Sequence, residues 1–428
     1  MEVELGVMSF ESTGVSCGWA MILSASERGV WMRVAGLLCA CFWGIGCTSG
    51  ENPQVEAFDS AGVRITVNHL PSAPQTRALG EPVLSIGSVV GDEAYLFDGV
   101  SGGLILDGRI IVADVGGHAI RFFDSGGIHQ KTVGGAGEGP GEFRDLGSLG
   151  RYRGDSIIVW DRTLQRVTVF DKSGEVGRAN RLASNPTGAG IRYIAQTADG
   201  TLFGRGTIPI SGSPPLWRTW RDTLAVIRYR PDGSQPQLIA ELPGDDRFAL
   251  STSGGALQIN NHPLGRIPAL SAVGNELLYA DGTTTSVDVL SPGGELSRRF
   301  RLTTEPREAT DDVITTLKSR FIGEDPEPAW VQEVERLFSS IQWPESVPGS
   351  AALLSDPSGD TWLEVFGLDY GVGRDWIRFG ASGAYRYTLE TPPGFVPLDF
   401  GNEFVLGLER DDLGVERITL RPIHFHEE

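Results

Sequence analysis

The sequence predicts an all-β fold, a six-bladed β-propeller of four-stranded antiparallel blades, and three observations lead there. The 428 residues include 57 glycines and 25 prolines and few helical patterns, which favours short strands joined by tight turns. A Gly/Asp/Asn turn followed by a β-rich run recurs as "DGRIIVAD" (107–114), "GDSIIVWD" (154–161), "DGTLFGRG" (199–206), "GNELLYAD" (274–281), "GDTWLEVF" (359–366) and "GNEFVLGL" (401–408). A strand ending in a glycine turn follows the first five copies, as "IRFFDSGG" (120–127), "VTVFDKSG" (167–174), "IRYRPDGS" (227–234), "VDVLSPGG" (287–294) and "WIRFGASG" (376–383). The sixth copy continues as "GVERITLRP" (414–422). Sheets that are apolar on both faces must each pack between two others, and a closed ring satisfies all of them at once.

From the amino terminus, residues 1–47 read as a leader. "MRVAGLLCACFWGIGC" (32–47) has one arginine and then about a dozen apolar or small residues, the layout of a secretory signal. Its end, Gly44-Ile45-Gly46-Cys47, resembles the lipobox of bacterial lipoproteins, with Gly44 where that family carries leucine. The resemblance implies lipidation at Cys47 and a protein exported to the periplasmic face of the cell envelope, touching membrane only through a lipid anchor. All four cysteines (Cys17, Cys39, Cys41, Cys47) fall in this leader, so the folded region has no thiol chemistry, cysteine zinc site or disulfide. The net charge of −19 repels nucleic-acid phosphates and anionic lipid, and removal of the leader keeps the chain acidic.

Residues 48–80 read as an N-terminal linker with a peripheral strand, and 81–428 as the propeller. The last copy lacks an outer strand, which "EPVLSIGS" (81–88) can supply to close the ring. Residues 205–223 and 244–266 read as long loops. Residues 305–342 read as a helical insertion between blades four and five. Thr310 caps a first helix bearing Val313, Ile314, Leu317 and Phe321 on one face. A second helix repeats Trp330, Val331, Val334, Leu337, Phe338 and Ile341 at helical spacing.

"VADVGGHAIRFFDSGG" (112–127) followed by "GGAGEGPGEF" (134–143) resembles an NHL repeat and its glycine-rich connecting loop. With "DSAGVRI" (59–65) it is similar to a family of exported bacterial six-bladed propellers. The resemblance is good over 59–175 and fainter to 424. It implies a fold and no particular activity.

The glycine loop lacks the lysine of a phosphate-binding loop, fits no dinucleotide register, and carries Glu138 and Glu142, which repel phosphate. "GVSGG" (99–103) has the form of a nucleophile elbow, but a turn and strand follow Ser101 where that motif needs a helix. His424 and His426 lie on a terminal tail, and no histidine set recurs at equivalent positions. The strongest candidates are acidic. Asp114, Asp161 and Asp281 share one repeat position, with Arg205 and Glu364 within two residues of it in blades three and five. With Glu138, Glu142 and Arg144 of the glycine loop they are expected on one face around the channel, as ligand-binding groups for a protein, peptide or carbohydrate. Oxygen ligands of this kind also suit Ca²⁺, which makes a metal-dependent lactonase or lyase the alternative and a structural envelope protein a third. The plainer account is that each Asp accepts backbone N–H groups of its own turn. Trp217 and Trp220, beside Arg218 and Arg221, read as exposed aromatics able to stack on a sugar or partner. No residue pattern identifies a catalytic group.

Overall fold

The recurring motifs are the second and third strands of antiparallel meanders in the computed structural model. It describes residues 54–425 apart from 72–73, 189, 209, 211, 213, 252–256, 324–325 and 369–372. The chain divides into the units Met1–Ser49 and Gly50–Glu428, and the described residues belong to the second. The leader with Cys47, and His426, lie outside them.

Strands β1 (Val55–Ser60) and β2 (Val63–His69) form a hairpin, followed by the short β3 (Thr76–Leu79) and β4 (Leu84–Ile86). The first meander is β5 (Val100–Leu106), β6 (Arg109–Asp114), β7 (Ala119–Phe123) and β8 (His129–Gly134). The second is β9 (Leu146–Tyr152), β10 (Ser156–Asp161), β11 (Arg166–Phe170) and β12 (Val176–Arg181). The third is β13 (Ile191–Gln196), β14 (Leu202–Ile208), β15 (Thr219–Tyr229) and β16 (Gln237–Ser251), widened by β17 (Leu257–Asn261). The fourth is β18 (Ala269–Val273), β19 (Glu276–Ala280), β20 (Ser286–Leu290) and β21 (Leu296–Thr303). Helices α1 (Asp311–Ile322) and α2 (Pro328–Ser340) come next. The fifth meander is β22 (Ser350–Ser355), β23 (Thr361–Val365), β24 (Asp375–Phe379) and β25 (Tyr385–Glu390). The last is β26 (Val396–Phe400), β27 (Phe404–Arg410) and β28 (Glu416–Phe425).

Second and third strands are rich in apolar residues because both faces are covered: Ile110 to Ala113 of β6 and all of β7, Arg121 included, are buried. Outer strands such as β8 alternate instead, with one face wet. Apolar cores fill each space between consecutive meanders. Leu104, Ile111 and Phe122 meet Phe143, Ile157 and Phe170. The cycle ends where Leu406, Leu408 and Ile418 of the last meander meet Val100, Ile110 and Phe123 of the first. The innermost strands touch in the same order, β5, β9, β13, β18, β22 and β26, and then β5 again. The architecture is therefore all-β and β-propeller-like.

Closure uses the amino-terminal strands. β4 pairs antiparallel with β28, Leu84 opposite Leu420, as expected for 81–88. β3 lies between β25 and β28 and joins two meanders into one sheet. β2 adds in parallel to β21.

The long loops expected over 205–223 and 244–266 are in large part strand. β15 and β16 run on as a twisted hairpin because their polar residues pair across it, Arg247 Nε donating to Asp222 at 2.9 Å. The helices form within 305–342. Thr310 Oγ1 accepts the Val313 N–H at 3.4 Å and caps α1. Leu317, Val334 and Phe338 pack with Leu264 and Val347. Phe321 and Trp330, expected on the packed stripe, are 39% and 47% exposed. Trp217 is half-buried against Phe248, Leu250 and Ile341, with Arg336 above its ring at 5.6 Å. It anchors the helix pair and is not a free stacking surface.

Candidate functional site

The sequence-selected carboxylates lie where second strands end and third strands begin. Asp114 is sealed from solvent, accepts the Asp98 N–H at 3.0 Å and pairs with Arg121 at 2.6 Å. Burial pushes its carboxyl above the usual range, opposed by the Asp98 N–H and the Arg121 charge. Asp161 is equally buried and accepts the N–H groups of Arg144 (2.7 Å), Asp145 (3.3 Å) and Leu164 (2.8 Å). Asp281 holds the Thr283 N–H and hydroxyl, both at 2.8 Å. Glu364 is buried and pairs with Arg374, and burial raises its carboxyl. Arg205 donates to Asp245 and to the Pro268 carbonyl, both at 2.7 Å.

The glycine loop is a connection clasped from outside. Gly134 has φ +110°, and a Cβ there would stand 2.6 Å from the His118 carbonyl, so only glycine fits the turn. Phe143 is fully buried in the core between the first two meanders. Arg166 reaches back to the carbonyls of Glu138 and Glu142. Glu142 turns inward on the Gly139 N–H at 2.8 Å, and the exposed Glu138 pairs with the exposed Arg144 at 3.1 Å. Of the eight candidates, Glu138, Glu142, Arg144 and Asp161 come together around the glycine loop; the rest serve their own neighbourhoods. Among the described residues no group of three or more His, Cys, Asp or Glu is arranged to hold a metal ion.

The other end of the innermost strands is built differently. A cavity of about 460 Å³ opens there, lined by residues from all six inner strands and the turns that follow them. Asp161 pairs with Leu146 at the start of β9, whereas the cavity is lined from Leu149 onward, about 10 Å further along at about 3.3 Å per residue. At its centre, Arg151 from β9 grips Asp399 from β26 through both guanidinium nitrogens, Nη1 at 2.8 Å. Nη2 also donates to the Ile105 carbonyl at 2.8 Å, and Asp399 accepts the Ile105 N–H at 2.9 Å. Burial raises the Asp399 carboxyl, and the Arg151 guanidinium pulls it back. Gln196 Nε2 donates to the Arg151 carbonyl at 3.0 Å, and Ser355 Oγ to that of Ala272 at 2.7 Å. Asp356 is filled by the N–H groups of Ser358 (2.9 Å) and Asp360 (3.1 Å) and by Trp362 Nε1 (3.0 Å).

Sequence reasoning missed these residues, although each stands just before a recognised turn: "RYRGD" (151–155), "QTADG" (196–200), "SAVGN" (271–275), "SDPSGD" (355–360) and "DFGN" (399–402). The signal was the inner-strand end, not the repeat's own carboxylate.

No protein-family model matches the sequence, and no curated protein matches it. Solved structures do. The chain is similar to a member of the DUF4221 family from Bacteroides vulgatus, at 12% identity and TM-score 0.50, over 82% of this chain and 99% of that one. It is also similar to a gluconolactonase from Xanthomonas campestris (12%, TM-score 0.42, 82% and 98%). A third is regucalcin, a calcium-binding protein from Agrobacterium tumefaciens (9%, TM-score 0.40, 83% and 98%). At such identities the likeness concerns the fold alone. No helix among the described residues is long and apolar enough to cross a membrane.

Proposed function

We propose that the chain is an exported six-bladed propeller of NHL-like type, tethered through Cys47, that acts as a ligand-binding module. The helix pair is then an insertion between its fourth and fifth blades. One observation carries the binding role: a polar cavity of about 460 Å³ at the inner-strand ends, to which every meander contributes. Its size falls within the usual range of small-molecule sites. The carboxylates expected to hold calcium are occupied by their own turns, and the metal-dependent enzyme reading has no donor set among the described residues.

A thermal-shift screen of a metabolite collection tests the role. A ligand that raises the melting temperature of the wild type should lose its effect in Ser271→Trp, which fills the cavity, and in the milder Gln196→Ala. A collection that shifts nothing, or shifts the variants equally, overturns it. The mass of the mature amino terminus tests the tether, since an unmodified Cys47 excludes it.

A further inference from the structure

The cavity wall says what class of ligand it suits, if the binding role just proposed holds. Each inner strand stands at the end of its sheet, so one row of its backbone N–H and C=O groups faces the cavity rather than another strand. Part of that row is already used: Ile105 N–H goes to Asp399, and the carbonyls of Arg151 and Ala272 accept Gln196 and Ser355. The rest offers donors and acceptors in alternation.

The central charges are spent. Arg151 and Asp399 neutralise each other in a two-pronged pair, and Asp356 is taken up by Ser358, Asp360 and Trp362. Arg153, at the rim, lies beside Asp199, whose carboxyl is held below the usual range by the Thr197 hydroxyl, the Thr201 N–H and the Arg153 charge. Apart from Arg153, which is exposed, a ligand with a net charge would have to break a buried pair to find a counter-charge, at a heavy desolvation cost. What the side chains leave is uncharged. Gln196 Oε1 accepts no hydrogen bond from the described residues, and the Ser271 hydroxyl has only Ser355 at 3.4 Å. A hydroxyl both donates and accepts, so a molecule rich in hydroxyls matches a wall of mixed polarity. Gln196 reaches the wall because residue 150 is glycine: a Cβ at Gly150 would sit 2.1 Å from its amide nitrogen.

We infer that the cavity takes a neutral, polyhydroxylated small molecule, a sugar or sugar alcohol, held by Gln196, Ser271 and the inner-strand backbone around a self-neutralised Arg151–Asp399 pair. Titration calorimetry of the full chain against glucose, maltose and mannitol, with glucuronate, glucosamine and dialanine alongside, tests it. At least one neutral member should bind, about tenfold or more tighter than its charged counterpart. Gln196→Ala and Gly150→Ala should each weaken it about tenfold, while Glu142→Ala leaves it unchanged. Glucuronate, glucosamine or dialanine binding more tightly, with the same dependence on Gln196, overturns the neutral class and leaves the binding role standing. No binding by any neutral member also overturns the class, whereas the binding role falls only if the wider thermal-shift screen is empty. Neutral binding indifferent to Gln196 and Gly150 overturns the placement in this cavity.

Discussion

The two ends of the inner strands use the same residue types to opposite effect. At the turn end, Asp161 and Asp114 are satisfied by groups close in sequence, Asp161 by Leu164, Arg144 and Asp145, Asp114 by Asp98 and Arg121, and only Glu416 among the buried carboxylates described there reaches across the ring, to the Gly99 and Val100 N–H groups. At the cavity end, Asp399 is satisfied by Arg151, 248 residues away, and by Ile105, which belongs to a third meander. A carboxylate that closes its own turn is part of the repeat. One that bridges meanders holds the ring's interior in register and shapes the space left there.

Substitutions can break or sharpen that contrast. The largest effect is expected from Asp399→Ala, which leaves the Arg151 charge and the Ile105 N–H unpaired together and should cost about 3 kcal/mol in denaturant titration. A loss under about 1 kcal/mol would mean the bridge is no more than a surface pair. Asp161→Ala strands three N–H groups and should cost about 2 kcal/mol, with Asp161→Asn restoring part of it.

Why one end was legible and the other was not follows from those distances. The turn carboxylates announce themselves by recurrence, and each of the turn-plus-strand motifs does form a second strand. Closure by 81–88 was legible too, because a missing outer strand leaves a definite vacancy that an unassigned β-rich run can fill. Arg151 and Asp399 carry no local pattern, since their partnership exists only once β9 and β26 face the same channel. The extended hairpin of β15 and β16 was hidden by proline, glycine and charge. Its polar residues pair across the ladder, as Arg247 of β16 does with Asp222 of β15, where sequence alone reads them as loop. Trp330 and Phe321 matched helical spacing but lie at the edge of the packed stripe, a difference of angle that periodicity does not resolve.

A third comparison concerns acid. His262 is buried at the turn end, where Leu264 N–H donates to Nδ1 at 3.1 Å and Nε2 stands 3.1 Å from the Gln342 carbonyl just past α2. That arrangement needs the neutral ring with its proton on Nε2. Burial lowers its pKa, against the Gln342 carbonyl and the Asp246 charge, so the unfolded chain takes up the proton first. Its contribution is complete above the ordinary histidine value of 6.5 and is lost as pH falls from there towards the lowered folded pKa. The slope is at most about 1.4 kcal/mol per pH unit. Melting curves between neutral and mildly acidic pH should therefore converge for wild type and His262→Asn, and parallel curves would refute the clasp. The smallest effect belongs to Glu138→Gln, whose exposed pairs with Arg144 and Arg181 should be worth less than about 0.5 kcal/mol. A larger loss there would show that the glycine loop depends on its charges and not on Phe143 and Arg166.

The seam made by β3 and β4 sets a timetable. Leu84 must wait for Leu420, and Ala78 for His424, so the strands made early in synthesis are the last to find partners. Until the final residues emerge, β4 has no partner and β3 has at most β25, and each leaves an edge on which a second chain can template. Bringing such distant segments together is slow, and the half-built ring is most exposed to aggregation during that interval. Once shut, the same seam ties β25 of the fifth meander to β28 of the last through β3, so that β28 cannot fray without loosening two meanders at once.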